Sequence, residues 1–493
     1  MSVELARIGG LVAAGGFVGL VAGTRRELRL AGLAALAFGA LPLLFELAPD
    51  GRERALAAAL PIGLILAAGL AVLLRRWPWL LPVLALACVP ARIPVDVGDE
   101  EANLLLPLYG VIAAAALLIL LELLRGDRRA HELGALTWPV AALVGWSGLS
   151  LLWTDDLRQG GITLLAFMLP FGVLALGLAR LDWSRRWLTV LFGQLLLMAV
   201  AFAAVGILQW VTRDVFWNPK VIVGNSYAPF FRVNSVFWDP SVYGRFLVVA
   251  ILAALAVVLF GAGNRLAIAL TAAIAAAWVG LLFSFSQSSF TALLAGVLAA
   301  AASMWRWRAV AALAVAAAVL LSVGFSAPSI RNELADDLRS GLNKASSNRF
   351  DLVTNGVGIA ADHPFAGVGL GAFKSAYAER TGLEGREPKE AASHNTPVTV
   401  AAELGLPGLM LFAWLVVTAL LLPFRRASKS FAGRASLAFG LMLAAILVHS
   451  LFYNALFEDP FTWGLLGLSA LAHAWRTSET TRRVLEPPAG GAA

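Results

Sequence analysis

Charge is scarce in this sequence. Asp, Glu, Lys and Arg make up 14% of 493 residues, where a soluble chain carries roughly a quarter. One cysteine is present, and Cys88 lies inside an apolar run, which excludes an intramolecular disulfide and gives no sign of thiol chemistry. Histidine is limited to five residues. His363 and His394 have no companions at ligand spacing, and no Asp-x-Asp or His cluster appears, so neither metal nor cofactor is expected. Ten-residue segments of alternating polarity are also missing, which excludes a membrane β-barrel.

What fills the chain instead is hydrocarbon. Hydrophobic residues make up 59%, mean hydropathy is +0.79, and apolar runs recur at the length that crosses ~30 Å of bilayer. The expected fold is all-α and polytopic, with thirteen to fifteen transmembrane helices. They fall near 5–23, 29–48, 55–74, 77–91, 103–124, 136–153, 160–180, 186–211, 240–261, 264–283, 287–305, 308–326, 396–422, 434–456 and 460–476. The run at 77–91 is short and holds three prolines. The first run has no basic segment before it and no small-residue cleavage site, so it reads as a retained helix.

A net charge of +7 invites a nucleic-acid reading, but the distribution opposes it. Basic residues form short clusters between apolar runs: "TRRELR" (24–29), "RR" (75–76), "RGDRR" (125–129), "SRR" (184–186), "RWR" (306–308) and "FRRASKSFAGR" (424–434). Alternating the runs puts every one of these clusters on a single side, as cytoplasmic loops require. The resulting organisation is helices over 1–211, an external loop over 212–240, helices over 241–326, a large external loop over 327–395, helices over 396–476 and a cytoplasmic tail over 477–493.

Loops this long are usually functional or disordered, and candidate chemistry gathers around them. Residues 346–365 carry an apolar face at helical spacing, suited to lying along the membrane or the bundle. "GVGLGAF" (367–373) reads as a tight backbone turn, since no Gly-Lys-Ser/Thr follows to make it a phosphate loop. Arg232 and Asp239 flank the start of the 240–261 helix and Arg245 lies a turn inside it. An intramembrane arginine faces a cavity, a partner or the interface, and Asp239 is one candidate partner. His394 and Asn395 stand at the mouth of the 396–422 helix, with Glu403 two turns in as a structural hydrogen-bond partner.

These residues carry a resemblance. "RVNSVFWDPSVYGRFL" (232–247), "NRFDLVTNGVGIAADHPFAGVGLGAF" (348–373) and "SHNTPVTVAAELGLPGLMLF" (393–412) resemble motifs of the O-antigen ligase and O-antigen polymerase family of GT-C membrane glycosyltransferases. The matching positions are Arg232, Asp239, Pro240, Arg349, Pro364, Gly367, Gly369, Gly371, Phe373, His394, Asn395, Glu403, Leu404, Gly405 and Gly408. Two departures stand out: Ser235 replaces a usual glycine, and Gln287 stands where family members often carry arginine. The resemblance implies a multi-pass protein of the bacterial cytoplasmic membrane, active on its outer face. It implies transfer of a glycan from undecaprenyl diphosphate to an acceptor hydroxyl, inverting and independent of metal. It gives His394 the role of general base and makes Arg232 and Arg349 the diphosphate clamp, joined by Arg245 and Gln287. Asp239, Asn395, Glu403, Gly367 and Gly369 support them. The partners so implied are the lipid-linked donor, a lipid or saccharide acceptor and membrane lipid. Polymerisation of lipid-linked repeat units shares the same chemistry, and a flippase or transporter of lipid-linked sugars is the reading from another class.

Overall fold

The structure is a computed structural model that describes residues 3–48, 51–97, 100–216, 218–227, 230–259, 262–305, 349–382, 393–424 and 430–485. Among them, ten helices are long and apolar enough to cross a membrane: Val3–Ala22, Arg26–Glu46, Glu53–Arg76, Leu106–Leu124, Leu157–Ala179, Arg185–Thr212, Pro240–Leu259, Asn264–Ser284, Thr396–Phe424 and Phe431–His449. Each answers to one expected segment. Three further segments are present as the helices Thr137–Ser150, Gln287–Trp305 and Pro460–Leu485. The last of these extends into the stretch expected to be tail. The expected segment 308–326 lies outside the described residues.

The segment expected at 77–91 crosses with a shorter helix than its apolar run suggests. Here the helix is only Leu80–Cys88, about 13.5 Å at ~1.5 Å per residue, less than half the hydrocarbon depth. An antiparallel hairpin follows, pairing Ile93–Val97 with Glu100–Leu104. The chain still changes ends here, because Arg92 donates to the Glu458 carbonyl at 3.0 Å. Helix propensity fails where prolines 78, 82 and 90 cannot donate backbone hydrogen bonds.

Close packing in the first hairpin rests on small residues, as apolar solvent requires. A Cβ on Gly16 would fall 2.3 Å from the Leu36 nitrogen, and one on Gly32 2.6 Å from the Leu20 nitrogen. Pro240–Leu259 and Leu157–Ala179 are the most buried of the ten, surrounded by protein along most of their length. Phe237, Tyr243 and Phe246, all fully buried, pack with Phe202 beneath the first turns of Pro240–Leu259.

The two ends of the bundle differ in chemistry. At one end the described basic clusters come together: Arg26 Nε donates to the Leu123 carbonyl at 2.6 Å, Arg29 pairs with Glu132 at 2.9 Å, and Trp183 meets Phe431 and Trp475. Arg180 there bridges Glu122, Asp127 and Glu132. Burial works to raise the Asp127 carboxyl, but hydrogen bonds from Arg129 and Arg180 outweigh it and hold the group at about 2. The opposite end is polar without being so charged, and it collects the candidate residues.

Candidate functional site at the polar end of the bundle

Loop 230–239 is pinned by polar side chains of the two helices that precede it. Asn225 clamps Arg232 twice, its Oδ1 accepting from the Arg232 N–H and its Nδ2 donating to the Arg232 carbonyl, both at 2.9 Å. Gln209 treats Ser235 the same way, at 2.7 and 2.9 Å. Ser235 is buried with φ +53°, the left-handed region that favours glycine. That backbone demand explains why a glycine is expected there by resemblance.

Arg232 Nε then reaches across to the Ser284 carbonyl at 3.2 Å, and Val233 N–H donates to Phe283. These bonds fasten the loop to the turn between the Asn264 and Gln287 helices. The turn itself is a serine cluster: Ser286 Oγ lies 3.1 Å from Ser288 Oγ and 2.8 Å from Ser289 Oγ. Gln287 stands exposed on this turn, at the first position of its helix.

From the serines the network passes to the far end of the chain. Ser288 Oγ lies 3.0 Å from Nε2 of His449, a fully buried ring whose Nδ1 has no hydrogen-bond partner. The next carbonyls hold the His394 turn: Ser450 accepts from Thr396 N–H at 3.0 Å and Leu451 from Asn395 Nδ2 at 3.1 Å. Asn395 also caps the Thr396 helix, its Oδ1 accepting from Val398 N–H at 3.1 Å. His394 has φ +52° and is half-buried. Among the described residues five non-glycine positions have positive φ, and Ser235, Phe285 and His394 all lie on this one network. Strain of this kind collects at functional sites.

Arg245 does not pair with Asp239. Its Nε lies 3.1 Å from Asp459 Oδ2, both side chains 3% exposed, while Asp239 accepts from Ser241 N–H at 2.6 Å. Asp459 also caps the Pro460 helix through Phe461 N–H at 3.1 Å. Beside it, partial burial pushes the Glu458 carboxyl up against the pull of Arg92 and Arg245.

The glycine motif proves to be backbone carpentry. Gly367, Gly369 and Gly371 all have positive φ. A Cβ on Gly369 would fall 2.4 Å from Thr154 Cα, and one on Gly371 2.1 Å from the Gly160 nitrogen. With no side chains in the way, Val368 and Gly369 N–H donate to the Ala402 and Glu403 carbonyls at 2.9 Å, and Leu406 N–H donates to Pro364 at 2.7 Å. This pairing accompanies a break in the Thr396 helix at Gly405, φ +65° and ψ −169°. Glu403 is buried against the motif, its Oε1 accepting from Phe373 N–H at 3.3 Å.

Arg349 heads the helix Arg349–Asp362. A Cβ on Gly356 would meet Val398, and Ile359 packs with Ala402 and Phe373. The two helices therefore run side by side in the same direction. Seven residues separate Gly356 from Arg349, about 10 Å, which carries the Arg349 end past Val398 toward the His394 turn. The Arg232 loop and the His394 turn are thus joined by one hydrogen-bonded framework, with the Arg349 end directed toward it, whereas Gly369 and Glu403 make a separate contact with Thr154 and Phe373. His449, Asp459 and the serine cluster were missed from sequence. The signal for them was a serine-rich turn and a rare histidine closing an apolar run.

The fold defines a class, the multi-pass membrane protein, whose candidate site brings together loop residues far apart in sequence at one end of the bundle. Comparison with family models makes it specific. Residues 250–413, a third of the chain, match the family described as Wzy_C, O-antigen ligase, and this similarity supports an O-antigen ligase- or polymerase-like membrane glycosyltransferase in general. Comparison with curated proteins finds no match.

Proposed function

We propose that the protein moves a glycan from a polyprenyl diphosphate to an acceptor hydroxyl at the outer face of the cytoplasmic membrane. The observation that carries this reading is the convergence of the Arg232 loop, the His394 turn and the start of the Arg349 helix at one end of the bundle. A lipid-borne donor and a water-borne hydroxyl meet only at such a rim.

In this reading His394 takes the proton from the acceptor hydroxyl. The oxygen attacks the anomeric carbon, the carbon–oxygen bond to phosphate breaks, and the diphosphate departs on its polyprenol. A single displacement inverts the anomeric centre. Arg232 and Arg349 stabilise the growing phosphate charge, guanidinium being suited to paired phosphate oxygens. Arg245 is reassigned: buried on Asp459, it braces loop 450–459, whose carbonyls hold the His394 turn. General-base catalysis is worth ~10²–10⁴-fold, and loss of His394 should reduce turnover by that factor.

The test supplies the purified protein in vesicles with a synthetic polyprenyl diphosphate glycan and separate acceptors. Product on a different acceptor, lost in His394→Ala and weakened in donor dependence by Arg232→Ala, supports ligation. Doubled repeats on the donor lipid would assign polymerisation instead. Movement of the sugar across the bilayer without bond cleavage would refute both. Transfer is expected to survive a chelator, and loss restored by Mg²⁺ would overturn the arginine-only account of charge stabilisation.

A further inference from the structure

Glycan transfer needs two groups held at a fixed spacing, the Arg232 guanidinium on the donor and the His394 ring on the acceptor. They hang from different supports. The Arg232 loop is tied to the turn at 283–289, through Arg232 Nε to the Ser284 carbonyl at 3.2 Å and Val233 N–H to the Phe283 carbonyl at 3.1 Å. The His394 turn is tied to residues 450–454. Ser450 accepts from Thr396 N–H, Leu451 from Asn395 Nδ2, and Asn454 Oδ1 from Thr396 Oγ1 at 2.9 Å. One side-chain hydrogen bond joins the two supports, Ser288 Oγ to His449 Nε2 at 3.0 Å.

Both ends of that bond are stiff. The His449 carbonyl accepts from Phe452 and Tyr453 N–H, each at 3.0 Å, so the ring and the 450–453 turn form one piece. On the other side Ser286 holds both Ser288 and Ser289, and Ser289 Oγ reaches the Ser241 carbonyl at 3.4 Å. The His449 ring is fully buried, which keeps it away from substrate. At the end of the apolar run "LMLAAILVH" (441–449) an aliphatic residue would be buried at no polar cost, whereas a ring nitrogen needs a partner. What the ring adds is direction. A hydrogen bond fixes a separation, where apolar packing alone lets helices slide.

We infer that His449 is a positioning residue, whose bond to Ser288 sets the spacing between His394 and Arg232. Its effect on rate rests on the glycan-transfer reading; the mechanical link does not. Replacing the 3.0 Å bond by a carbon contact at ~3.5–4.0 Å opens the link by about 0.5–1 Å. Misplacing reacting groups by ~1 Å costs about 10²-fold in rate.

The test pairs hydrogen–deuterium exchange with kinetics on the full chain in nanodiscs. Ser288→Ala, on the Arg232 side, should speed exchange of Thr396 N–H, on the His394 side, about fivefold, the factor one ordinary hydrogen bond supplies. The Pro240–Leu259 helix should exchange as in the parent. His449→Leu should loosen Thr396 and Val233 together, and His449→Gln, whose amide replaces Nε2, should restore both. With a synthetic polyprenyl diphosphate glycan, Ser288→Ala, His449→Leu and the double variant should each lose about 10²-fold in kcat. Donor KM should hold, because Asn225 still clamps Arg232, and His449→Gln should recover most of the rate. Unchanged Thr396 exchange in Ser288→Ala would overturn the link, as would rate losses that multiply in the double variant. Disappearance of the pH limb of kcat in His449→Gln would make His449 the base and overturn the positioning role. A protein whose exchange responds as expected but which transfers no glycan would refute the transfer reading and leave the link standing.

Discussion

Replacing Asp459 by Asn should destabilise the protein far more than its position in a loop suggests. Arg245 and Asp459 are each 3% exposed and 3.1 Å apart. Two unit charges at ~4 Å interact by about 4 kcal/mol at an effective dielectric of 20, and breaking a buried pair costs about 3–5 kcal/mol because the remaining charge is stranded. Asn keeps the size and the cap on Phe461 N–H, so Asp459→Asn should cost about 3 kcal/mol. Asp459→Ala loses the cap too and should cost about 1 kcal/mol more. Pairing Asp459→Asn with Arg245→Met removes both charges, and the double variant should return to within about 1.5 kcal/mol of the parent. The measurement is equilibrium unfolding in mixed micelles, followed by tryptophan fluorescence, as a double-mutant cycle. Single-variant costs below about 0.5 kcal/mol, or costs that simply add, would show that the pair carries no such energy. Transfer should fall in Asp459→Asn because the brace behind the His394 turn is loosened, whereas His394→Ala should lose transfer with stability unchanged.

Acid stability should depend on Asp127. Its folded value of about 2 lies below the ordinary ~3.9, so its contribution, about 1 kcal/mol once solvent screening is allowed for, is full above pH ~4 and disappears as pH falls through 2. Asp127→Asn should flatten that part of the stability profile in an acid titration. Gly369→Ala should cost about 2–4 kcal/mol, since φ +97° and a Cβ 2.4 Å from Thr154 Cα force the motif off its seat; a thermal shift of less than one degree would contradict this. Gln287→Arg, at the exposed first position of the turn holding Arg232, should lower the donor KM severalfold with little change in kcat, and an unchanged KM would remove that position from donor contact.

Membrane class and the position of the long apolar helices were legible because apolar length is a local property. Ten expected segments recur as long apolar helices for that reason. The glycine run was also readable as a turn, though not its seat on Thr154 and Gly160, two hundred residues upstream. Nothing near Arg245 names Asp459 as its partner, and the local candidate, Asp239, serves Ser241 instead. The helix in the 77–91 segment is shorter than its apolar content suggests because prolines 78, 82 and 90 interrupt its hydrogen bonding.

By itself the order of residues determined which stretches enter the bilayer and which side chains remain at its rim, since each stretch is sorted by its own transfer free energy. Only the tertiary structure decided that His449 stands behind the serine turn and that Arg245 is a brace. Those facts depend on distances between helices that are remote in sequence, and packing sets such distances.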